Sequence, residues 1–210
     1  MGRYIELDGW NRREHFALFK GFHNPFFSIC TEVDVSALYR LSRNPGGPTF
    51  SLACIFLSLQ AANEVKEFRM RLRERGVWIH DEVHAGSTVL LEDETFAFAY
   101  FRVSKDFSEF QTRGREEIDR RKASPTLAGW TGEDDLIHYS ILPWIRFTSF
   151  TNALRLGEDS IPKIIFGKYW PEGGVYRMPV AVEVHHALVD GLHVGRFLER
   201  FQEKLNNPLL

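Results

Sequence analysis

The residues that could do chemistry gather near the C-terminal end, in His185-His186-Ala187-Leu188-Val189-Asp190-Gly191-Leu192-His193. A neutral imidazole titrates near physiological pH, so one of these histidines can take a proton from a hydroxyl or thiol as that group attacks an electrophile. The tetrahedral intermediate of such an attack needs a hydrogen-bond donor at its oxyanion, which a serine hydroxyl can supply. Two other chemistries compete. Were the stretch one helix, His186, Asp190 and His193 would share a face at i, i+4 and i+7, a set that could hold a metal. Gly191 and the strand-like run before His185 speak against that helix, and no HExxH-type spacing or second Cys/His cluster completes a site. Nucleophilic catalysis lacks its marks, because Ser140 lies in no GxSxG elbow and neither Cys30 nor Cys54 carries a catalytic signature. The plainest alternative is that both histidines are structural, satisfied by backbone groups.

The flanking elements decide how the pair is presented. Val180-Ala181-Val182-Glu183-Val184 is β-branched and alternating, which predicts a strand. From Leu192 to Leu205 the apolar residues recur at helical spacing, and Asn206-Asn207-Pro208 ends the pattern. The histidines therefore sit at a strand end, with Asp190-Gly191 turning the chain into a helix. Successive strand residues point to opposite faces, so only one of the two can serve a given cleft.

The rest of the chain predicts an α+β domain over residues 1–210. The 26 basic and 28 acidic residues leave a net charge of -2, which calls for neither nucleic acid nor an anionic membrane as partner. The 18 phenylalanines exceed what such a chain needs and suit an aromatic core, an apolar pocket or a subunit seam. Two cysteines in no redox spacing, no N-terminal apolar leader and no run of about 18 apolar residues point to a cytoplasmic protein. Strands are predicted at 27–35, 77–79, 88–91, 96–101 and 139–147, and a hairpin is predicted over 161–185 with its turn at Pro171-Glu172-Gly173-Gly174. Short helices are expected at 10–19 and 36–41, a long one from Phe50 to about Arg75 with a buried first half, and one from the Asp106 cap to about Arg121. The alternating charges of that last helix read as a solvated face. Adjacent strands look hairpin-connected, so the sheet is expected to be mixed.

The pattern His-His-x-x-x-Asp-Gly followed by His-Val-x-Arg-Phe resembles the signature of the chloramphenicol acetyltransferases. Its core is similar to that of the wider group of acyltransferases using coenzyme A thioesters and of peptide-synthetase condensation domains. Trp10-Asn11-Arg12-Arg13-Glu14-His15-Phe16 resembles that family's N-terminal Trp-x-Arg-Arg-Glu-His-Phe. Phe68-Arg69-Met70, Glu94-Thr95-Phe96, Ser140-Ile141-Leu142-Pro143-Trp144 and Gly167-Lys168-Tyr169 recur in the same order, so the likeness runs end to end.

The resemblance implies a two-layer α+β sandwich, a mixed β-sheet covered by helices, assembled as a homotrimer with each active site at a subunit interface. It implies acetyl-CoA as co-substrate, no tightly bound cofactor and no metal. His186 would be the general base that deprotonates an acceptor hydroxyl in a ternary complex, and Ser140 would donate to the oxyanion. Asp190 would pair with Arg12 to hold the loop presenting His186, while His185 would be structural. Lys168 would approach the coenzyme's phosphates, with Tyr169 and Trp144 along its path. Phe19, Phe26, Phe27 and Phe150 would line the acceptor pocket, with chloramphenicol as the expected acceptor. Another small hydroxyl compound, or a trimeric scaffold that has lost catalysis, are the alternatives. The chain departs from the family's pattern on the acceptor side. Phe19 stands for a common tyrosine, and Pro25-Phe26 for a Cys-Gly of the best-known enzymes. Ile165 stands for a threonine that helps bind an active-site water, and Lys163 for an apolar pocket residue. Losing that threonine's hydroxyl would remove about 1 kcal/mol of hydrogen bonding, enough to alter acceptor affinity while leaving catalysis in place.

Overall fold

A computed structural model describes residues 1–127, 134–153 and 159–208. The buried half of the chain is organised by one apolar helix, α3 (Phe50–Glu64), in which Leu52 to Leu59, Ala61 and Ala62 are all buried. Such a helix must be enclosed, and the enclosing surface is a mixed sheet with further helices beside it.

Along the chain, β1 (Gly2–Tyr4) and α1 (Arg13–Lys20) precede β2 (Phe26–Asp34), α2 (Ser36–Ser42) and α3. A 3-10 turn at Lys66–Arg69 leads to β3 (Met70–Arg73), β4 (Gly76–His80), β5 (His84–Leu90) and β6 (Phe96–Phe101). Then come α4 (Phe107–Ala123), β7 (Leu136–Ile141), β8 (Lys163–Phe166), β9 (Trp170–Glu172), β10 (Val175–His185) and α5 (Gly191–Asn206). Among the described residues the large sheet runs β2-β10-β8-β7-β5-β6, with β9 also on β10, and a small sheet runs β1-β4-β3. β5–β7 and β7–β8 are parallel and the other pairs antiparallel, so the sheet is mixed.

The core lies on one face of the large sheet. Val180, Val182 and Val184 of β10, Ile164 and Phe166 of β8, and Ile137 and Tyr139 of β7 belong to it, together with Phe56 of α3 and Phe197 and Phe201 of α5. Phe166 packs on Phe201, and Phe197 stacks on Phe68 at 4.9 Å. The Ser58 and Tyr139 hydroxyls meet at 3.1 Å and tie α3 to β7 inside this apolar volume. The aromatic surplus is thus largely spent on the core.

The long helix expected from Phe50 to Arg75 is shorter. Val65 adopts an extended backbone (φ -102, ψ 108), and Met70 to Arg73 pair with β4 as a hairpin. The charges after Glu64 are therefore not one solvated helical face. Arg71 is fully buried, donating to the carbonyls of Phe68, Met70, Asp134 and Leu136. Burial lowers its pKa to about 10, partly countered by Asp134 and Asp135, and it stays charged at neutral pH. A four-carbonyl cage is a tertiary feature with no local sequence mark. On α4, Asp106 accepts from the Glu109 N–H at 2.8 Å, as a cap should. Glu117 of that helix is buried rather than solvated, accepting from the Tyr100 N–H and from Arg120 and Arg121.

At the end of β10 opposite the histidines, Gly173 (φ 58) and Gly174 (φ 85) make the β9–β10 turn, a pair of positive φ angles that glycine adopts without strain. Gly167 allows a close approach, because a Cβ there would lie 2.5 Å from the Pro179 ring. No helix among the described residues is long and apolar enough to cross a membrane.

Candidate active site

His185 and His186 part company at the end of β10. His185 is the last strand residue, paired with Phe26, and it is buried. Its Nδ1 accepts from the Ala187 N–H at 3.2 Å, and Phe26 meets its ring edge-on. Burial pushes its pKa down to about 4, against the pull of Asp159, so it is neutral at pH 7. It has no approach for a substrate.

His186 begins the turn. Its N–H donates to the Pro25 carbonyl at 2.8 Å, and its own carbonyl accepts from Arg12 at 3.2 Å. The Phe19 ring lies flat on the imidazole, centroids 3.9 Å apart and planes 12° apart, and Phe27 sits at 4.7 Å on a tilt. The imidazole is about one-third exposed (35%), while its Nδ1 is buried 3.2 Å from Asp190 Oδ1, outside hydrogen-bonding geometry. Nδ1 thus faces the protein, and Nε2 is left as the nitrogen for an external group.

A clamp of buried Arg12 and half-buried Asp190 holds the turn. Arg12 donates to both carboxylate oxygens of Asp190 as well as to the His186 carbonyl, so one guanidinium ties the start of α1 to both ends of the turn. Burial works to raise the Asp190 pKa, but the hydrogen bonds and charge of Arg12 outweigh it and hold the carboxyl below its usual range. His193 completes the arrangement, since the Asp190 N–H donates to its Nδ1 at 2.9 Å. That role escaped the sequence reading, although the spacing carried a cue: His193 stands three residues after the helix cap, where a side chain can reach back to the cap's N–H. The helix starts at Gly191 and His186 is not on it, so the continuous metal-binding face does not exist. Among the described residues no set of three His, Cys, Asp or Glu could hold a metal ion.

Ser140 lies elsewhere in the same chain. It is level with Ile165 on β8, and Ile165 is level with Ala181 on β10. His186 is five residues beyond Ala181. With a rise of about 3.3 Å per residue and a strand spacing of about 4.8 Å, the two residues stand roughly 15–20 Å apart. One acetyl group cannot touch both within one chain.

Lys168 and Tyr169 line a groove of about 420 Å³ with Thr49, Phe50, Cys54, Ile141, Pro143, Phe166 and Met178. Ile141 follows Ser140 on β7, but its side chain points to the opposite face of the sheet, with Phe166, and Ser140 does not line the groove. Tyr169 accepts from Arg43 at 3.0 Å and packs on Phe50 and Tyr39. Arg43, Thr49 and Phe50 were not singled out from sequence; they come from the end of α2 and the start of α3, and only the fold brings Arg43 to Tyr169 and the other two into the groove with Lys168. Trp144 is exposed and does not line the groove.

The four phenylalanines expected in one acceptor pocket divide. Phe19 and Phe27 touch His186. Phe26 does not, because strand alternation turns it to the other side, against His185 and under the Lys163 ammonium at 4.5 Å. Phe150 packs on Phe147, whose ring approaches Gly167. Lys163 is buried and paired with Asp159 at 2.9 Å.

Within one chain, then, the clamped histidine and the groove beside Lys168 and Tyr169 are separate features. The family model for Chloramphenicol acetyltransferase matches residues 3–202. Chloramphenicol acetyltransferase 3 of Escherichia coli is 33% identical over 98% of this chain and 97% of its own length, and the Proteus mirabilis enzyme is 32% identical over 95% and 92%. A solved chloramphenicol acetyltransferase superposes with a TM-score of 0.87 at 29% identity, covering 98% of this chain and 100% of that one. The catalytic core of a 2-oxoacid dehydrogenase complex from Thermoplasma acidophilum shares the fold at a TM-score of 0.72 and 15% identity. The chain belongs to the chloramphenicol acetyltransferase family, a family of CoA-dependent O-acetyltransferases.

Proposed function

We propose that this protein transfers the acetyl group of acetyl-CoA to a hydroxyl of chloramphenicol, with His186 as general base. The observation that carries the reading is the presentation of His186: clamped by Arg12–Asp190, stacked on Phe19, its Nδ1 buried and the ring about one-third exposed. Nε2 takes the proton of the acceptor hydroxyl as that oxygen attacks the thioester carbonyl. The carbonyl π bond becomes an oxyanion, to which the Ser140 hydroxyl donates. Collapse of the tetrahedral intermediate breaks the carbon–sulfur bond, and the departing thiolate receives the proton from the imidazolium. The products are the acetyl ester and free coenzyme A, with no acyl-enzyme and no resident cofactor or metal. Arg12 and Asp190 fix the ring and do not relay the proton.

The distance between Ser140 and His186 supports a site completed by two subunits. A cyclic homotrimer, each chain one two-layer catalytic domain, can bring His186 of one chain to Ser140 of the next. The groove of Lys168 and Tyr169 then receives the coenzyme, with Lys168 near its phosphates. Such an enzyme works in the cytoplasm, where acetyl-CoA is made. The departures at Lys163 and Ile165 favour a second reading, in which the same chemistry is done on a different small alcohol.

The test is thiol release from acetyl-CoA with chloramphenicol and a panel of small alcohols. Turnover of chloramphenicol is expected. Binding of acetyl-CoA without turnover of any alcohol would defeat the acetyltransferase reading.

A further inference from the structure

The face of the sheet that carries Ser140 also carries a row of charge. Strand alternation places Ser140, Ile165 and Ala181 on one face, and two residues along the strands His138, Lys163 and Glu183 stand on that same face as register partners. Lys163 and Glu183 are buried at 6% and 4% exposure. Lys163 is already satisfied, since its ammonium reaches Asp159 at 2.9 Å and the Ile161 carbonyl at 3.4 Å and lies over the Phe26 ring. Glu183 is only half satisfied. Its Oε2 accepts from the Asn152 N–H at 3.2 Å, while its Oε1 is buried with no hydrogen-bond partner among the described residues. The Nδ2 of Asn152 is likewise buried and unpartnered.

An orphaned carboxylate oxygen and an orphaned amide donor, on two residues joined by one hydrogen bond, are costly to bury unless something completes them. We infer that Glu183 and Asn152 form a polar acceptor subsite, which takes a hydrogen-bond-donating end, hydroxyl or ammonium, of the alcohol that is acetylated. The inference rests on the proposed acetyl transfer and says which acceptors it favours. Its location fits that role. Ser140 shares its sheet face with the row of His138, Lys163 and Glu183, whereas Ile141, which lines the groove assigned to the coenzyme, points to the opposite face with Phe166. Donor and acceptor substrates must approach an oxyanion donor from different sides, so this row borders the acceptor. With two strand spacings of about 4.8 Å and two residues of about 3.3 Å, Glu183 is roughly 12 Å from Ser140, the span of a small drug-sized alcohol. Lys163 and Asp159 cancel, so the charge of Glu183 attracts an ammonium, while only a hydroxyl can both donate to Oε1 and accept from the Asn152 amide.

The experiment compares three alcohols of matched length whose far ends are ammonium, hydroxyl and methyl, using kcat/KM from thiol release and, without acetyl-CoA, the Kd of each by calorimetry. The wild-type trimer should favour the ammonium and hydroxyl compounds over the methyl one by about tenfold or more, the factor expected of one hydrogen bond to a charged group. Glu183→Gln keeps the shape and should weaken the ammonium compound more than the hydroxyl one. Asn152→Ala should weaken the hydroxyl compound and leave the methyl one unchanged. Equal or better use of the methyl compound by the wild type would overturn the subsite, as would preferences unchanged in Glu183→Gln, which would leave a structural water as the partner of Oε1. If nothing is turned over, acetyl transfer fails on its own terms, and the Kd series still supports or rejects the subsite.

Discussion

Ser140 and His186 are separated by two strand spacings and five residues of rise, Ser140 being level with Ile165 and through it with Ala181. Both residue types suit one acyl transfer, yet a single chain holds them too far apart for one acetyl group. The proposed active site is therefore completed only by assembly of two chains. A monomer would keep the clamp, the groove and the histidine and still lack a complete site.

His186→Ala is expected to lower kcat by about a hundredfold to ten-thousandfold, the range a positioned general base supplies. KM for acetyl-CoA should change little, because the groove lined by Lys168 does not include His186. Steady-state kinetics with circular dichroism checks both. His185→Gln with the same loss at unchanged stability would mean that the roles of the two histidines are reversed.

His185 makes stability depend on pH. Its pKa of about 4 in the folded chain, against 6.5 unfolded, means that between these values the unfolded chain binds a proton that the folded chain refuses. The folded state therefore loses stability as pH falls from 6.5 towards 4, by up to about 3 kcal/mol in all. Denaturant titrations across that window should show the slope in the wild type and a flatter profile in His185→Gln. An identical slope in both would refute the assignment.

The clamp is expected to couple stability to activity. Asp190→Asn leaves the buried Arg12 guanidinium without its counter-charge and should cost about 1–3 kcal/mol, with kcat lowered through loss of ring positioning. Since the Asp190 pKa lies below its ordinary 3.8, its contribution is complete above about pH 4 and is lost as pH falls through the lower, folded value. Acid unfolding of the wild type and of Asp190→Asn should converge there. A kcat unaffected by Asp190→Asn would remove the clamp from the mechanism.

Lys168→Ala should raise KM for acetyl-CoA about tenfold and leave kcat within a factor of two or three, with the difference shrinking at high salt. A fall in kcat at unchanged KM would place Lys168 in the chemistry instead.

Much of this was legible in the sequence because it is local. A strand into a double histidine and an Asp-Gly turn into an amphipathic helix are read from period and turn chemistry, and β10 and α5 follow them closely. The Asp106 cap and the glycine pair at 173–174 are equally local. What escaped depends on contacts between distant segments. The charged stretch after Glu64 has helical composition, yet pairing of β3 with β4 and a carbonyl cage for Arg71 override propensity. Phe26 and Phe27 are neighbours in sequence and divide between His185 and His186, which strand alternation explains once the register is known. Asn152 and Glu183 carry no motif at all. Only the fold reveals that each keeps a polar atom without a partner among the described residues.

The most direct test mixes two inactive variants. His186→Ala and Ser140→Ala chains are unfolded together, refolded as trimers and assayed beside each variant refolded alone. If each site takes His186 from one chain and Ser140 from the next, random assembly from equal amounts gives about a quarter of the sites both intact residues, and about a quarter of wild-type activity should return. Activity no higher than the mean of the two variants refolded alone would contradict a shared site.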